Sequence, residues 1–303
     1  MKNRFSLHFC IILVSFTFAV IIFSPFTQRA VSQIQLDGKE KITLDVPYEP
    51  SSEEVVKAML EIAKVDRNDI VYDLGCGDGR IVITAAQKVG ARGVGVDLDP
   101  ERVKESLENA RKANVTDRVE FFQQDLFQTD ISKATVVMLY LWPEVNMKLR
   151  PKLLRELKAG TRVVSHSHDM GDWETDLTIT ASEGHRVHFW VIPANVTGIW
   201  NWDMPGEKDR YVLKLNQKFQ KISGTLQSGS DGIPIKNLEL RGDRLMFTFE
   251  KPFKGQMKIL RFMGHVRGHF IEGTAEELTS GSQVIRPWKT RRDSSSMKPF
   301  NVK

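Results

Sequence analysis

Residues 71–80 read Val-Tyr-Asp-Leu-Gly-Cys-Gly-Asp-Gly-Arg, a short apolar stretch followed by glycine at every second position. This pattern is typical of a β-strand that turns directly into a helix, because glycine lets the backbone turn sharply and approach a ligand closely. The following helix aims its first backbone N–H groups at such a ligand. The stretch therefore predicts a strand–turn–helix unit with a binding site at the end of the strand.

Two familiar phosphate-binding loops are excluded by the same residues. The dinucleotide fingerprint G-x-G-x-x-G needs glycine where Arg80 stands, and the lysine of a P-loop is absent. The remaining pattern, D-x-G-x-G-x-G, suits a ligand that carries an amino acid and a nucleoside rather than a pyrophosphate.

The chain around this loop alternates between helical and strand patterns from about residue 44 to residue 193. Ser51 and Glu54 fit a capping box at the start of one helix, and Asp99-Pro100 starts another. The predicted strands are 69–74, 93–98, 119–126, 134–141 and 162–166. Four or five strand–helix units at this spacing predict an α/β fold with an open, mostly parallel, doubly wound sheet.

Three aspartates end three of these strands. Asp73 ends the first strand, Asp97 the second and Asp125 the third. Open α/β sheets bind ligands at the carboxyl ends of their strands, and a carboxylate at Asp97 is placed to accept both hydroxyls of a ribose. Asp125 is placed to accept from the exocyclic amine of adenine. The three acids therefore predict a nucleoside-containing ligand.

Three motifs, in this order and spacing, resemble the first motifs of class I S-adenosylmethionine-dependent methyltransferases. They are DLGCGDGR at 73–80, GVGVDLD at 93–99 and QQDLF at 123–127. The resemblance covers about residues 45–200. It implies a Rossmann-like fold and S-adenosyl-L-methionine as the cofactor.

The resemblance also implies a role for each matching residue. Asp73, Gly75 and Gly77 would hold the methionine part of the cofactor. Asp97 would hold its ribose, and Asp125 its adenine.

A closer resemblance is carried by the stretches on either side of these motifs. They read DVPYEPSSEEVVKAML at 45–60 and LYLWPEVNMKLRPKLLRELKAGTRVVSHSHDMGDW at 139–173. Both are similar to a bacterial subgroup that is itself similar to the mitochondrial lysine methyltransferases of the adenine nucleotide translocase and the ATP synthase c-subunit. This resemblance implies methylation of a protein lysine.

The segment after the fourth strand is the expected acceptor-side loop, and it contains Tyr140, Trp142 and Glu144. It lacks the Asn/Asp/Ser-Pro-Pro-aromatic motif of base-modifying enzymes, which argues against a nucleic-acid acceptor. The three side chains would form an aromatic and acidic channel for a lysine ammonium, favoured by cation–π attraction. The alternative is that the two aromatic residues belong to the core.

Two histidines, His166 and His168, follow the fifth strand. Positions i and i+2 of a strand share a face, so both are expected to point the same way. His166 is a candidate general base because histidine titrates near neutral pH; a polar rim of the substrate site is the alternative. No third or fourth metal ligand is evident, so we predict no metal. The candidate catalytic residues are thus Tyr140, Glu144 and His166.

Residues 5–26 form a hydrophobic segment with His8 as the only ionisable side chain. Its length fits a single membrane span, and residues 30–32 (Ala-Val-Ser) fit a signal-peptide cleavage site. Residues 1–32 are therefore either an anchor or a signal peptide. We expect a membrane-associated protein with a cytosolic catalytic domain, because the cofactor is made in the cytosol. Cleavage and export would instead indicate a non-catalytic binding module.

Beyond residue 205 the helical pattern gives way to strands and glycine-containing turns. We predict five or six antiparallel strands between Tyr211 and Arg292. The predicted domains are a methyltransferase domain at 42–205, an antiparallel β-domain at 206–293 and a polar basic tail at 294–303. A β-domain that binds an apolar acceptor would make the protein a small-molecule or lipid methyltransferase, which stays an alternative.

The net charge of +5 does not indicate a nucleic-acid-binding protein. Residues 284–303 contain six lysines and arginines against one aspartate, so the rest of the chain is neutral. The predicted partners are an acceptor protein and, through residues 5–26, a membrane, with no nucleic acid.

Overall fold

A computed structural model describes residues 48–208, 210–253 and 255–300. The hydrophobic segment 5–26 and the cleavage site at 30–32 lie outside these residues, so both stay predictions. Within the described ranges, no helix is both long and apolar enough to cross a membrane.

The first part of the described chain forms a seven-stranded sheet in the order β3-β2-β1-β4-β5-β7-β6. The strands are β1 (Ile70–Leu74), β2 (Arg92–Asp97), β3 (Val119–Gln123), β4 (Val136–Leu139), β5 (Arg162–His166), β6 (Leu177–Thr180) and β7 (Arg186–Val191). The first five strands are parallel, whereas β7 runs antiparallel to both β5 and β6. The predicted open, mostly parallel α/β sheet is confirmed.

Helices cover both faces of this sheet. They are α1 (Glu53–Ile62), α2 (Arg80–Val89), α3 (Pro100–Lys112) and α4 (Pro143–Glu156). The apolar sides of α1, α2 and α3 share one core cluster. That of α4 lies in a second cluster, together with Trp173 and Trp190. From β1 the chain adds β2 and β3 on one side of the sheet, and from β4 it adds β5 on the other side. Open α/β sheets bind ligands at the point where the strand order reverses in this way.

The start of α1 differs from the predicted capping box by one residue. Ser52 is the N-cap, and its hydroxyl accepts from the backbone N–H of Val55. Ser51 instead turns inward, where its Oγ lies 2.8 Å from Nδ1 of His166. At α3 the predicted cap is confirmed, because Asp99 accepts from the N–H of Glu101 at 2.9 Å.

The second part forms a nine-stranded antiparallel sheet in the order β11-β10-β9-β8-β16-β15-β14-β13-β12. The strands are β8 (Gly198–Trp202), β9 (Tyr211–Lys218), β10 (Lys221–Ser228), β11 (Asp231–Ile233), β12 (Ile235–Arg241), β13 (Arg244–Phe253), β14 (Gln256–Arg267), β15 (Phe270–Thr279) and β16 (Ser282–Arg292). Eight of them lie between Tyr211 and Arg292 in the described chain, where the sequence predicted five or six. The sheet also begins at Gly198, inside the range predicted for the first domain.

This second sheet curls around an aromatic core, and its strands β10 and β12 come close to each other. The ring of Trp202 lies 5.5 Å from Phe262 and 5.6 Å from Trp288, centroid to centroid. Stacked and edge-on aromatic pairs at such spacings add stability beyond the burial of their area. The predicted C-terminal antiparallel domain is therefore a barrel-like sheet with a filled interior.

The basic C-terminal segment is largely built into this sheet. β16 lies between β8 and β15, and Lys289 pairs with Glu272 at 2.6 Å. Just beyond it, the backbone N–H of Lys298 donates to Thr197 Oγ1 at 3.0 Å. The positive charge that the sequence concentrates here is thus partly neutralised by ion pairs.

Candidate active site

One cavity opens at the carboxyl ends of β1, β2 and β4, where the chain reverses its direction of winding. The glycine loop forms one side of it, and the Tyr140–Trp142 segment after β4 forms another. Residues 48–51, which precede α1, also line it. The predicted cofactor residues and the predicted acceptor loop therefore face the same space.

The glycine loop has the backbone conformation that its sequence predicts. Gly75, Gly77 and Gly79 have φ angles of +83°, +53° and +79°, which glycine adopts without steric cost. The backbone N–H groups of Gly75 and Cys76 both donate to the carbonyl of Val96, at 2.8 and 2.9 Å. These bonds hold the loop against the end of β2.

Asp97 anchors the loop from the end of β2. Its Oδ2 accepts from the N–H of Gly77 at 2.8 Å, and its Oδ1 accepts from the N–H of Asp99 at 3.0 Å. The carboxylate is only partly buried and lines the cavity. Asp97 is therefore available to a ligand hydroxyl while it also shapes the loop.

Asp73 is a buried acid with an unpaired carboxylate oxygen in the described part of the chain. Its side chain is 2% exposed, and its Oδ2 has no hydrogen-bond partner among the described residues. Burial, reinforced by the nearby charges of Asp97 and Asp78, raises the pKa of Asp73 well above its usual value. An unpaired buried acceptor is costly, so this atom fits the cationic amino group of the predicted cofactor.

Asp125 is placed differently from the other two acids. Its carboxylate accepts from the backbone N–H of Phe127 at 2.8 Å and from Gln128 Nε2 at 3.1 Å. Its neighbours Gln124 and Leu126 line the cavity, whereas Asp125 does not. Asp125 thus shapes the turn that carries Gln124 and Leu126 to the cavity, and its predicted contact with adenine stays a prediction.

The acceptor side of the cavity is aromatic and acidic. Trp142 is 49% exposed at the rim, so it is not a core residue. Tyr140 is partly buried and lines the cavity together with Glu49. Burial, together with the nearby acid Glu49, raises the pKa of Tyr140 to about 12. Tyr140 therefore keeps its proton at neutral pH.

The other two predicted catalytic residues do not line this cavity. Glu144 is exposed on the first turn of α4. His166 is 2% exposed, and its Nε2 lies 3.0 Å from Nδ1 of His185. Its ring packs 3.9 Å from the ring of Tyr140, centroid to centroid. Burial and the neighbouring histidines lower the pKa of His166 to about 4. His166 thus packs against Tyr140 without lining the cavity.

His168 lies beyond the end of its strand, so strand alternation does not apply to it. β5 ends at His166, and Ser167 has a φ of +62°. His168 lines the cavity whereas His166 does not, yet both rings lie beside Tyr140, at 6.5 and 3.9 Å centroid to centroid.

Sequence reasoning missed Tyr48 and Glu49, which both line the cavity. The guanidinium of Arg102 lies 4.6 Å from the centre of the Tyr48 ring. The signal was present, since both residues belong to the resembling stretch at 45–60. The spacing of Tyr48 and Glu49 in the sequence, however, does not indicate that a segment before β1 lies at the carboxyl ends of the strands. Elsewhere, the described ranges contain no group of three or more His, Cys, Asp or Glu that would hold a metal ion.

Comparison with known proteins places these features in a family. The ANTKMT methyltransferase domain matches residues 73–177, which include none of the second sheet. A protein-lysine N-methyltransferase of Saccharolobus islandicus is 50% identical over 151 residues, or 48% of this chain and 94% of the relative. The lysine N-methyltransferase of the ATP synthase c-subunit in Xenopus laevis is 35% identical over 133 residues, or 44% of this chain and 58% of the relative.

One solved structure is also similar in sequence. It is an RNA methyltransferase from Salinibacter ruber in complex with S-adenosyl-L-homocysteine, 52% identical, with a TM-score of 0.47. The match covers 52% of this chain and 98% of that one.

Proposed function

We propose that this chain, which belongs to the protein-lysine N-methyltransferase family of its Saccharolobus islandicus relative, methylates the side-chain nitrogen of a protein lysine. It is an S-adenosyl-L-methionine-dependent methyltransferase. The proposed acceptor follows from the relatives' names, which specify protein lysine, the ATP synthase c-subunit and, in mouse, the adenine nucleotide translocase.

The observation that carries the proposal is the shared cavity. The buried Asp73 and the glycine loop face the same space as Tyr140, Trp142 and Glu49. Methyl transfer requires a donor and a nucleophile that are held close together and in line. A cavity with a cofactor side and an aromatic, acidic side provides that arrangement for a cationic acceptor.

On the cofactor side, Asp73 would accept from the amino group of the methionine part and Asp97 from the ribose. The bound cofactor supplies an electrophilic methyl group on a sulfonium. The unpartnered Oδ2 of Asp73 and the hydrogen bond from Gly77 to Asp97 support these roles. Preorganised polar groups of this kind cost no rearrangement on binding.

On the acceptor side, the exposed face of Trp142 suits a lysine ammonium through cation–π attraction. The Tyr140 hydroxyl is not a base at neutral pH, because its pKa is raised to about 12. Its proposed role is to donate to the Glu49 carboxylate, which lines the same cavity. The proposed acceptor is therefore recognised by one carboxylate and two aromatic rings.

We further propose that residues 5–26 tether the enzyme to a membrane, with the catalytic domain on the cytosolic side. This segment is apolar and long enough for one span, and the cofactor is cytosolic. Carbonate extraction of cells that produce the full chain, compared with a chain lacking residues 1–32, tests the tether. Release of the full chain into the soluble or extracellular fraction would contradict it.

Transfer of a labelled methyl group tests the enzymatic proposal. The purified full chain is incubated with radiolabelled S-adenosyl-L-methionine and with membrane and soluble extracts of its native cells. We expect label in protease-sensitive material, and none with an Asp97→Ala variant. Label that enters RNA, lipid or a small molecule would contradict the lysine acceptor.

A further inference from the structure

We infer that Glu49 binds the ammonium of the incoming lysine and gives the cavity its preference for a cationic acceptor. This inference rests on the proposed function and deepens it. Glu49 comes from the segment before α1, outside the strand ends that carry the cofactor residues. It lines the cavity beside Tyr140 and Trp142.

The carboxylate of Glu49 has a defined place in the cavity. It lies in the lining together with Tyr140, whose ring packs 3.9 Å from the ring of His166, centroid to centroid. Among the described residues, no Lys or Arg forms an ion pair with Glu49. Its negative charge is therefore available to a cation that enters the cavity.

The cations that line the cavity are already occupied by other acids. Arg80 pairs with Asp78 at 2.7 Å. Arg102 pairs with Glu105 and stacks on Tyr48. Because these arginines are committed elsewhere, an ammonium that enters beside Glu49 meets an acid rather than a competing cation.

Glu144, the acid that the sequence predicted for this role, is not in position for it. It lies two residues beyond Trp142 but on the outer surface of α4, exposed and away from the cavity lining. Trp142 caps the start of α4 and lines the cavity, whereas Glu144 on the first turn does not. The structure thus offers a direct choice between two glutamates near the same loop.

Two cofactor analogues test the choice without a known acceptor. Both replace the sulfonium of S-adenosyl-L-methionine by nitrogen; one carries a 2-aminoethyl arm on that nitrogen and the other an n-propyl arm of the same size. Isothermal titration calorimetry with the full chain gives the ratio of the two affinities. We expect wild-type protein to prefer the aminoethyl analogue, and Glu49→Gln to reduce this preference about tenfold or more, as for loss of a hydrogen bond to a charged group.

Three controls make the result decisive. Glu49→Gln should bind S-adenosyl-L-homocysteine as wild type does, which shows that it is folded. Glu144→Gln and Glu53→Gln, an exposed acid on α1, should keep the wild-type preference. An unchanged preference in Glu49→Gln, or a loss of preference in Glu144→Gln, would overturn the inference. The two proposals can fail separately. If the preference for the aminoethyl analogue depends on Glu49 but no protein in the extracts becomes labelled, only the proposed lysine substrate is refuted.

Discussion

Gly77 lies directly against the ring of Tyr48, so closely that a Cβ on Gly77 would come within 2.4 Å of the ring's Cε2. The left-handed φ of Gly77, +53°, adds a second reason for glycine at this position. Because Tyr48 and the loop both line the cavity, this contact links the segment before α1 to the cofactor loop.

Gly77→Ala should therefore impair both the loop and the placement of Tyr48. We expect affinity for S-adenosyl-L-homocysteine to fall about tenfold or more, with a loss of about 1–3 kcal/mol in the free energy of unfolding. Calorimetry and urea denaturation measure the two effects. Gly160→Ala is the matched control: its φ is also positive, but a Cβ there meets nothing within 4 Å, so it should lose stability without losing affinity. Equal loss of affinity in both variants would contradict the contact.

Asp73→Asn should stabilise the ligand-free protein and weaken cofactor binding. Burial raises the pKa of Asp73 in the folded state, so the folded chain holds this proton more tightly than the unfolded chain. The free energy of unfolding consequently falls as pH rises from the unfolded value near 4 through the folded value. At neutral pH the asparagine variant avoids this loss.

Thermal unfolding at pH 7 and calorimetry with S-adenosyl-L-methionine check both halves of this prediction. The expected result is a higher melting temperature without ligand, together with affinity reduced about tenfold or more. Asp117→Asn, on an exposed side chain, should change neither. A destabilised Asp73→Asn variant would mean that the buried carboxylate has a partner.

His166 should make stability depend on mildly acidic pH. Its pKa is lowered to about 4 by burial and by His185 and His168, so the unfolded chain binds this proton more tightly. Its contribution to stability is complete above the unfolded value near 6.5 and is lost as pH falls through about 4. His166→Gln should flatten the unfolding free energy between these limits. His265→Gln, at an exposed histidine, should leave the wild-type slope; identical slopes in all three proteins would contradict the assignment.

Arg292 should be important for the stability of the second sheet. It is 3% exposed, and its Nη1 donates to the carbonyls of Asn195 and Thr197 at 2.9 and 3.1 Å. Its guanidinium also lies 4.6 Å from the ring of Trp200. Arg292→Ala would leave these buried carbonyls unpaired, at a cost of about 3 kcal/mol in urea denaturation. The neighbouring exposed Arg291→Ala should stay within about 0.5 kcal/mol of wild type. Similar losses of unfolding free energy in Arg292→Ala and Arg291→Ala would contradict a structural role for Arg292.

The sheet and the cofactor side of the site were predictable because they depend on local periodicity. Open parallel sheets bind ligands at the carboxyl ends of their strands, so the positions of Asp73 and Asp97 at the cavity could be predicted from the strand pattern. The same pattern does not place Asp125 in the lining. The glycine loop follows from the same pattern.

The acceptor side was less predictable because it is assembled from distant segments. Glu49 and Tyr140 come together only after the sheet has formed. His168 lies beyond β5, because the strand ends at His166 and Ser167 has a positive φ. In the second sheet, the polar strand β10 has little apolar alternation. Because such strands lack a clear alternating pattern, the sequence predicted fewer strands than the structure contains.

The most direct test of the proposed lysine methylation is to identify the amino acid that receives the methyl group. The full chain is incubated with S-adenosyl-L-methionine and native membranes, the labelled protein is hydrolysed, and its methylated residues are separated by mass spectrometry. We predict methylated lysine with wild-type enzyme and none with Asp97→Ala. A methyl group on any other residue, or on RNA or lipid alone, would contradict the proposed function.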